Sequence, residues 1–535
     1  MFIVPVAEQF VVHEPHLQYN EYAYALLYEL VYFRCSKMVR SHTMQRPVPM
    51  IVSIASVSLQ WGAFIVRRIA RCLASIGMLT MLSGVLVAEI FDMDAICDPS
   101  TLDVEVLQDW HPVEGETMTR QKLVTIDVGE LWPGQDFRLP VRMVVPASQK
   151  AKGFHLTGGS TPARLEEDFR PNGVFRELLN GGVGLVFTVV QEPGSYGERD
   201  LARAAEERFA RTLNPHVKIQ YWAWPATLMR AITAAYAESA HFEKGKVAVT
   251  GGSKNGASPS MAILHDDRMT AVHATVSPIW DSPLRLCDRA AWKELDSQEG
   301  RRGPFSGGHY GPTFNREVLE QGHTWEDLQT FTREISDEVF ISRNLKNLRR
   351  RGVEMLFHPG THDCVAYDMA WGGAEHPDIP VYLGANTGHG KRGHPQLERG
   401  QSNKSAFLLT HFFPEEISGR LLVPPKVEHA LVDDAIEVIV EFPDGYEPEG
   451  GSIWWMFDRA PDGSPHYLSE PIPDDNFAEM HYDDRRGVWV AEIELDANAE
   501  QIDFFSNYLS RVKYNGRAYE TYLSSPYTRV ALPKR

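Results

Sequence analysis

The sequence predicts an α/β chain: a mostly parallel central sheet with helices on both faces, followed by a small β-sandwich. Three observations carry this prediction. Short apolar runs alternate with segments of helical spacing between about residues 120 and 400, the pattern of βαβ crossovers. The run Val183-Gly-Leu-Val-Phe-Thr-Val-Val190 reads as a continuous apolar segment, as expected of a strand covered on both faces. From Pro424 onward the runs are short and alternating, with turn clusters between them.

A chain of 535 residues exceeds one domain, and 43% hydrophobic content is enough for large cores. The expected organisation is a leader over 1–92, an α/β domain over 98–422 and a β-sandwich over 424–535. A lid insertion is expected at about 283–335. The net charge of −18 and the absence of a basic stripe argue against nucleic acid as a partner. An acidic surface mainly favours solubility.

The leader differs from the rest. Residues 1–88 carry four acidic and seven basic side chains, +3 in all, which leaves −21 for the remainder. The uncharged run Met50–Val66 is followed by Arg67-Arg-Ile-Ala-Arg71 and then by the uncharged Cys72–Ala88. An arginine flank before an apolar run and small residues reads as a secretory signal. Either run alone is near the short limit for a membrane span, so an anchor is the competing expectation. A signal should be terminal, which suggests a translation start near Met44 or Met50. The expected location is secreted, periplasmic or cell envelope, with membrane contact only through this segment. Three of the five cysteines follow the leader, an odd number that gives no disulfide framework. The layout allows a Cys287–Cys364 bridge.

In order, Lys122–Leu131 and Phe137–Pro146 alternate as strands around the turn Pro133-Gly-Gln-Asp136. Gly153–Leu156 is a third strand, ending in Thr157-Gly-Gly-Ser160. Phe175–Asn180 ends a helix at Gly181-Gly182, ahead of the Val183 strand. Leu201–Leu213 and Tyr221–Ala240 have helical spacing. Met269–Ser277 is the next strand, ending in Pro278-Ile-Trp-Asp281. Residues 282–335, with Ser306-Gly-Gly-His-Tyr-Gly311, break the rhythm where a lid would sit. Asp337–Arg350 reads as a helix, Val353–Phe357 as a strand, and Ile379–Gly384 as the last strand of this series. In the C-terminal region Ala435–Phe442, Gly451–Phe457, Gly487–Glu494 and Ile502–Ser506 are strands. Pro461–Ser464 and Asp483–Arg486 are turns between them. Trp454, Trp455 and Trp489 are expected in its core rather than at a sugar surface.

The stretch Lys246-Val-Ala-Val-Thr-Gly-Gly-Ser-Lys-Asn-Gly256 carries the chemistry. Val247–Thr250 is a buried-strand signal, and Gly251 and Gly252 permit a sharp turn. Ser253 is at its tip. A helix follows, in which Pro259 must lie in the first turn or bend the chain. Strand, glycine turn with serine, then helix resembles the nucleophile elbow of α/β-hydrolases. Here Asn255 stands where the second glycine usually is, and Gly256 follows.

Strand C-terminal ends of a parallel sheet open on one edge. Asp363 follows one later strand in Gly360-Thr-His-Asp363, and His389 follows the last in Ala385-Asn-Thr-Gly-His389. Ser, Asp, His is the α/β-hydrolase order. Ser253 is then the nucleophile, His389 the general base and Asp363 the orienting acid. Lys254 and either Gly158 or Gly159 would supply oxyanion N–H groups. Asp281 is the rival acid.

The elbow, the turn ending at Asp363 and the ending Asn386-Thr-Gly-His389 together resemble the PhoPQ-activated pathogenicity-related family of α/β-hydrolases. The likeness covers roughly residues 120–530, including a β-rich module after the histidine. That family usually has Ala-Ser-Lys-Arg-Gly at its elbow, where this chain has Gly252 and Asn255. The resemblance implies a serine hydrolase acting on an ester or amide through an acyl-enzyme, with no cofactor. Similar elbows occur in prolyl-oligopeptidase-like peptidases and in acyl or carbohydrate esterases. Two other readings compete. A metal-dependent hydrolase would use His358, His362, Asp363, His389 and His394. A catalytically inactive fold would serve as a binding module.

Overall fold

The computed structural model describes residues 90–190, 199–291, 316–363, 365–389, 395–459 and 471–534. The leader up to residue 89, the lid centre with Ser306–Gly311, Cys364, His394 and the turn Pro461–Ser464 lie outside the described residues. Leu86–Arg535 forms one compact unit. Among the described residues no helix is long and apolar enough to cross a membrane.

Eight strands make the main sheet. They are β1 (Val104–Val113), β2 (Thr119–Trp132), β3 (Gln135–Pro146), β4 (Ala151–Thr157), β5 (Gly184–Thr188), β6 (Phe242–Gly252), β7 (Ala271–Thr275) and β8 (Glu354–His358). Their spatial order is β1-β2-β3-β5-β4-β6-β7-β8. The first three are antiparallel, β3 pairs antiparallel with β5, and β5, β4, β6, β7 and β8 run parallel. This is the α/β-hydrolase fold with one extra edge strand, β1. The polar segment 98–117 holds that edge strand, whose residues are mostly exposed.

Alternation along the parallel strands divides the core. Val247 and Val249 of β6, Val272 of β7 and Phe357 of β8 face one hydrophobic cluster. The helices α2 (Arg199–Thr212), α3 (Trp224–Ala237), α4 (Lys254–His265) and α5 (Ile341–Arg350) cover that face. Ala248, Ala271 and Leu356 face the other, under α1 (Gly173–Asn180) and α6 (Pro395–Phe412). Each fully buried Val or Leu contributes about 1.5–3 kcal/mol. Helices on both faces are what the near-continuous apolar runs require. Ile90 and Phe91, at the end of the expected leader, are already buried in the first cluster.

Two antiparallel sheets follow. One is β13 (His481–Asp483), β14 (Val488–Glu494), β10 (Ala435–Glu441) and β9 (Lys426–Val432). The other is β12 (Phe477–Glu479), β11 (Gly450–Phe457), β15 (Gln501–Tyr514) and β16 (Arg517–Ser524), with β17 (Thr528–Ala531) also on β15. Their facing side chains, among them Val438, Ile453, Trp489 and Phe504, join the cluster beneath α1 and α6. Trp489 is buried, while Trp454 and Trp455 are half-buried.

Three expected elements differ. Ile379–Gly384 is not a full strand: a single parallel bridge joins Val381 to Phe357. Pro380 has no N–H to donate, and Ser524 of β16 takes the other edge, donating to the Val381 carbonyl at 2.8 Å. Asp337–Arg350 is two helices, broken at Phe340 (φ −105°, ψ 133°). Phe340 is fully buried, so packing sets the break. Pro259 lies inside α4 rather than in its first turn. It removes the N–H that would have bonded the Asn255 carbonyl. Ser258 and Ser260 hydroxyls bond the neighbouring carbonyls of Lys254 and Gly256 at 2.7 and 2.9 Å.

Candidate active site

Ser253 is the junction between β6 and α4, with φ 59° and ψ −127°. A non-glycine residue there carries strain of about 1–3 kcal/mol, held only because the surroundings over-determine it. The surroundings are visible. The Ser253 N–H donates to the Thr275 carbonyl at 2.9 Å, and its own carbonyl accepts from Gly256 and Ala257 at 2.8 and 2.9 Å. A Cβ on Gly251 would lie 1.7 Å from the Asn255 carbonyl oxygen, and one on Gly256 would lie 2.5 Å from that of Thr275. The two glycines whose Cβ would strike backbone are therefore two before and three after the serine. That explains how this elbow tolerates Asn255.

The structure brings Ser253, His389 and Asp363 together. His389 Nε2 lies 2.5 Å from Ser253 Oγ. His389 Nδ1 pairs with Asp363 Oδ2, and the same oxygen accepts the His389 backbone N–H at 2.8 Å. Asp363 is buried, while the imidazole is 54% exposed, so the ring opens to a ligand and its partner does not. The hydrogen bond to Asp363 raises the His389 pKa above its usual value; partial burial opposes it, and the carboxylate charge adds to it.

Asp281 is elsewhere. Its carboxylate accepts the Ser342 hydroxyl at 2.6 Å and faces His376 at 3.4 Å and Arg343 at 3.7 Å. Lys254 opens α4, where an N–H has no acceptor within the helix. Gly158 and Gly159 differ. The Gly158 carbonyl accepts from Val190 at 3.1 Å, and a Cβ there would strike the Val190 side chain at 2.5 Å. Gly159 looks toward the elbow, its Cβ position 3.7 Å from Asn255 Nδ2.

His358 and His362 do not join Ser253, His389 and Asp363. His358 is buried, with Nε2 3.3 Å from Asn403 Nδ2, and His362 Nδ1 is 3.0 Å from the Thr361 hydroxyl. Among the described residues no group of His, Cys, Asp and Glu is disposed to hold a metal ion.

Sequence reasoning missed the residues that hold the triad loops. Arg459, fully buried, donates to the Thr361 carbonyl in the turn before Asp363. The Asn386 side chain and the Ile472 backbone form a reciprocal pair. It also missed Lys404 of α6, which lines a cavity of about 350 Å³ beside the elbow. Gln396, Asn403 and Lys404 share one helical face, but polar residues around them make that face read as surface.

No family model and no curated protein matches this chain. It is similar in structure to an acetyl xylan esterase from Thermoanaerobacterium sp. (13% identity, 57% of this chain and 91% of that one, TM-score 0.33). It is also similar to one from Paenibacillus sp. (14%, 59% and 91%, TM-score 0.36). A third is a CE15 glucuronoyl esterase from Teredinibacter turnerae (12%, 51% and 64%, TM-score 0.31). The strand order itself carries the fold assignment.

Proposed function

We propose that this chain is a serine hydrolase that cleaves an ester or amide through Ser253, His389 and Asp363. The observation that carries the reading is the imidazole of His389, held between the Ser253 hydroxyl and the Asp363 carboxylate. His389 Nε2 takes the hydroxyl proton as Ser253 Oγ attacks the substrate carbonyl. The oxyanion is held by the N–H of Lys254 and by that of Gly159, which exchanges its long 3.4 Å bond to the Thr157 hydroxyl for the substrate oxygen. Collapse expels the alcohol or amine, protonated by His389. Water, deprotonated by the same ring, then releases the acyl group. Asp363 keeps the proton of the neutral ring on Nδ1 and supports the imidazolium formed midway.

The metal-dependent reading has less support, because His389 is already committed to serine and carboxylate, and His358 to Asn403. Kinship with the PhoPQ-activated pathogenicity-related family rests on the three short motifs alone. An α/β catalytic domain over 98–422 with a C-terminal sandwich over 424–535 is the organisation we favour. The arginine-flanked apolar runs support a secreted or envelope location. Turnover of a 4-nitrophenyl ester by full-length protein tests the reading. Ser253→Ala and His389→Ala must each abolish it, and activity persisting in Ser253→Ala would reject it.

A further inference from the structure

We propose that the cavity beside Ser253 binds an anionic group of the substrate through Lys404, so that the substrate class is a negatively charged ester. The inference rests on the serine-hydrolase reading for its reaction, but not for its binding site.

The cavity lies on the α6 face of the sheet. Strand alternation sends His155 of β4, His273 of β7 and His358 of β8 to that face, all three buried. Burial keeps His155 and His358 neutral, with pKa values pushed down to about 3, and the Lys404 charge adds to this. Lys404 lines the cavity. Among the described residues its ammonium has neither a carboxylate nor a hydrogen-bond acceptor. Its charge acts on the three imidazoles, and the Phe175 ring is 6.0 Å away. Burial lowers its pKa, and no negative charge opposes that shift.

Lys404 is half-buried, and a cation partly withdrawn from water gains from an arriving counter-charge. Among the described residues none is supplied, and the cavity leaves room for one. At about 350 Å³ it is in the range of small-ligand sites. A second polar group has no partner in the same cavity: His273 Nε2 is buried without a hydrogen bond. Gly159, Gly252 and Gly388 line the same cavity. They are the oxyanion-side glycine and the residues preceding Ser253 and His389. A ligand in the cavity thus reaches from the triad's flank to the ammonium. A carboxylate there would exchange hydration for a charge-assisted bond to Lys404.

The test uses two acyl groups of nearly equal shape on the full chain: mono-4-nitrophenyl succinate, which is anionic, and 4-nitrophenyl butyrate, which is neutral. Lys404→Met is expected to lower kcat/KM on the succinate ester by about 10- to 100-fold, mainly through KM. The butyrate ester should change by less than about threefold, and Lys404→Arg should restore part of the succinate activity. Equal losses on both esters, or none on either, would overturn the inference. Calorimetric binding of free succinate to wild type and Lys404→Met is the second readout. Weaker binding in the variant supports the site even if neither ester turns over. Equal binding, or none to either protein, overturns it. Fluorophosphonate labelling of Ser253 separates the two ideas: normal labelling with no effect of Lys404 rejects only the anion site.

Discussion

The Asn386 side chain clasps the backbone of Ile472: Nδ2 donates to its carbonyl at 3.0 Å, and Oδ1 accepts its N–H at 2.7 Å. Asn386 lies three residues before His389 and has φ 58°, a left-handed conformation that asparagine tolerates. The C-terminal region thus holds the loop that carries His389. Arg459, just beyond β11, does the same for the turn that carries Asp363.

Asn386→Gly keeps the backbone conformation and removes only the clasp. Its kcat on an aryl ester is expected to fall about tenfold or more, because a small displacement of His389 spoils its reach to Ser253. Unchanged kcat would show that the loop holds its position without the sandwich.

The raised pKa of His389 sets the acid limb of the pH profile. The ring must be neutral to accept the Ser253 proton, so activity falls as pH drops through its pKa. That limb is expected above 6.5, the ordinary histidine value. Asp363→Asn removes the largest cause of the shift. Residual activity should therefore have its limb at lower pH, read from kcat/KM profiles.

Asp363 and Asp281 separate by substitution. Asp363→Asn is expected to lower kcat by about 10³- to 10⁴-fold, through loss of the correct tautomer. Asp281→Asn should stay within about threefold in kcat and lose about 1–2 kcal/mol of stability, because a neutral amide weakens the bond from Ser342 and gives up the charge that faces His376 and Arg343. Denaturant unfolding beside kinetics distinguishes the two.

Gly256→Ala adds a methyl 2.5 Å from a backbone carbonyl that cannot step aside. The expected cost is about 1–3 kcal/mol, with α4 displaced from β7 and labelling of Ser253 slowed. A neutral effect on the melting temperature would mean the elbow relaxes freely.

Much of this was legible because crossovers preserve order. Val247–Thr250, Met269–Ser277 and Val353–Phe357 announce parallel strands by composition alone. A serine, an acid and a histidine placed after successive strands of one sheet must gather on one edge. Ile379–Gly384 misled because its composition is that of a strand. Pro380 and the competing partner Ser524 are matters of donor chemistry and long-range docking. The Asn386–Ile472 clasp spans 86 residues of sequence and leaves no local trace. Lys404 reads as an ordinary surface residue among Arg399, Gln401, Ser402 and Ser405. Only the packing of α6 against the sheet leaves it half-buried at the cavity with the three histidines.

The most direct test is mass-spectrometric location of a fluorophosphonate adduct on the full-length protein. A single adduct at Ser253, lost in His389→Ala, is the expected result. An unmodified Ser253 in folded protein, or an adduct on another serine, would contradict the account.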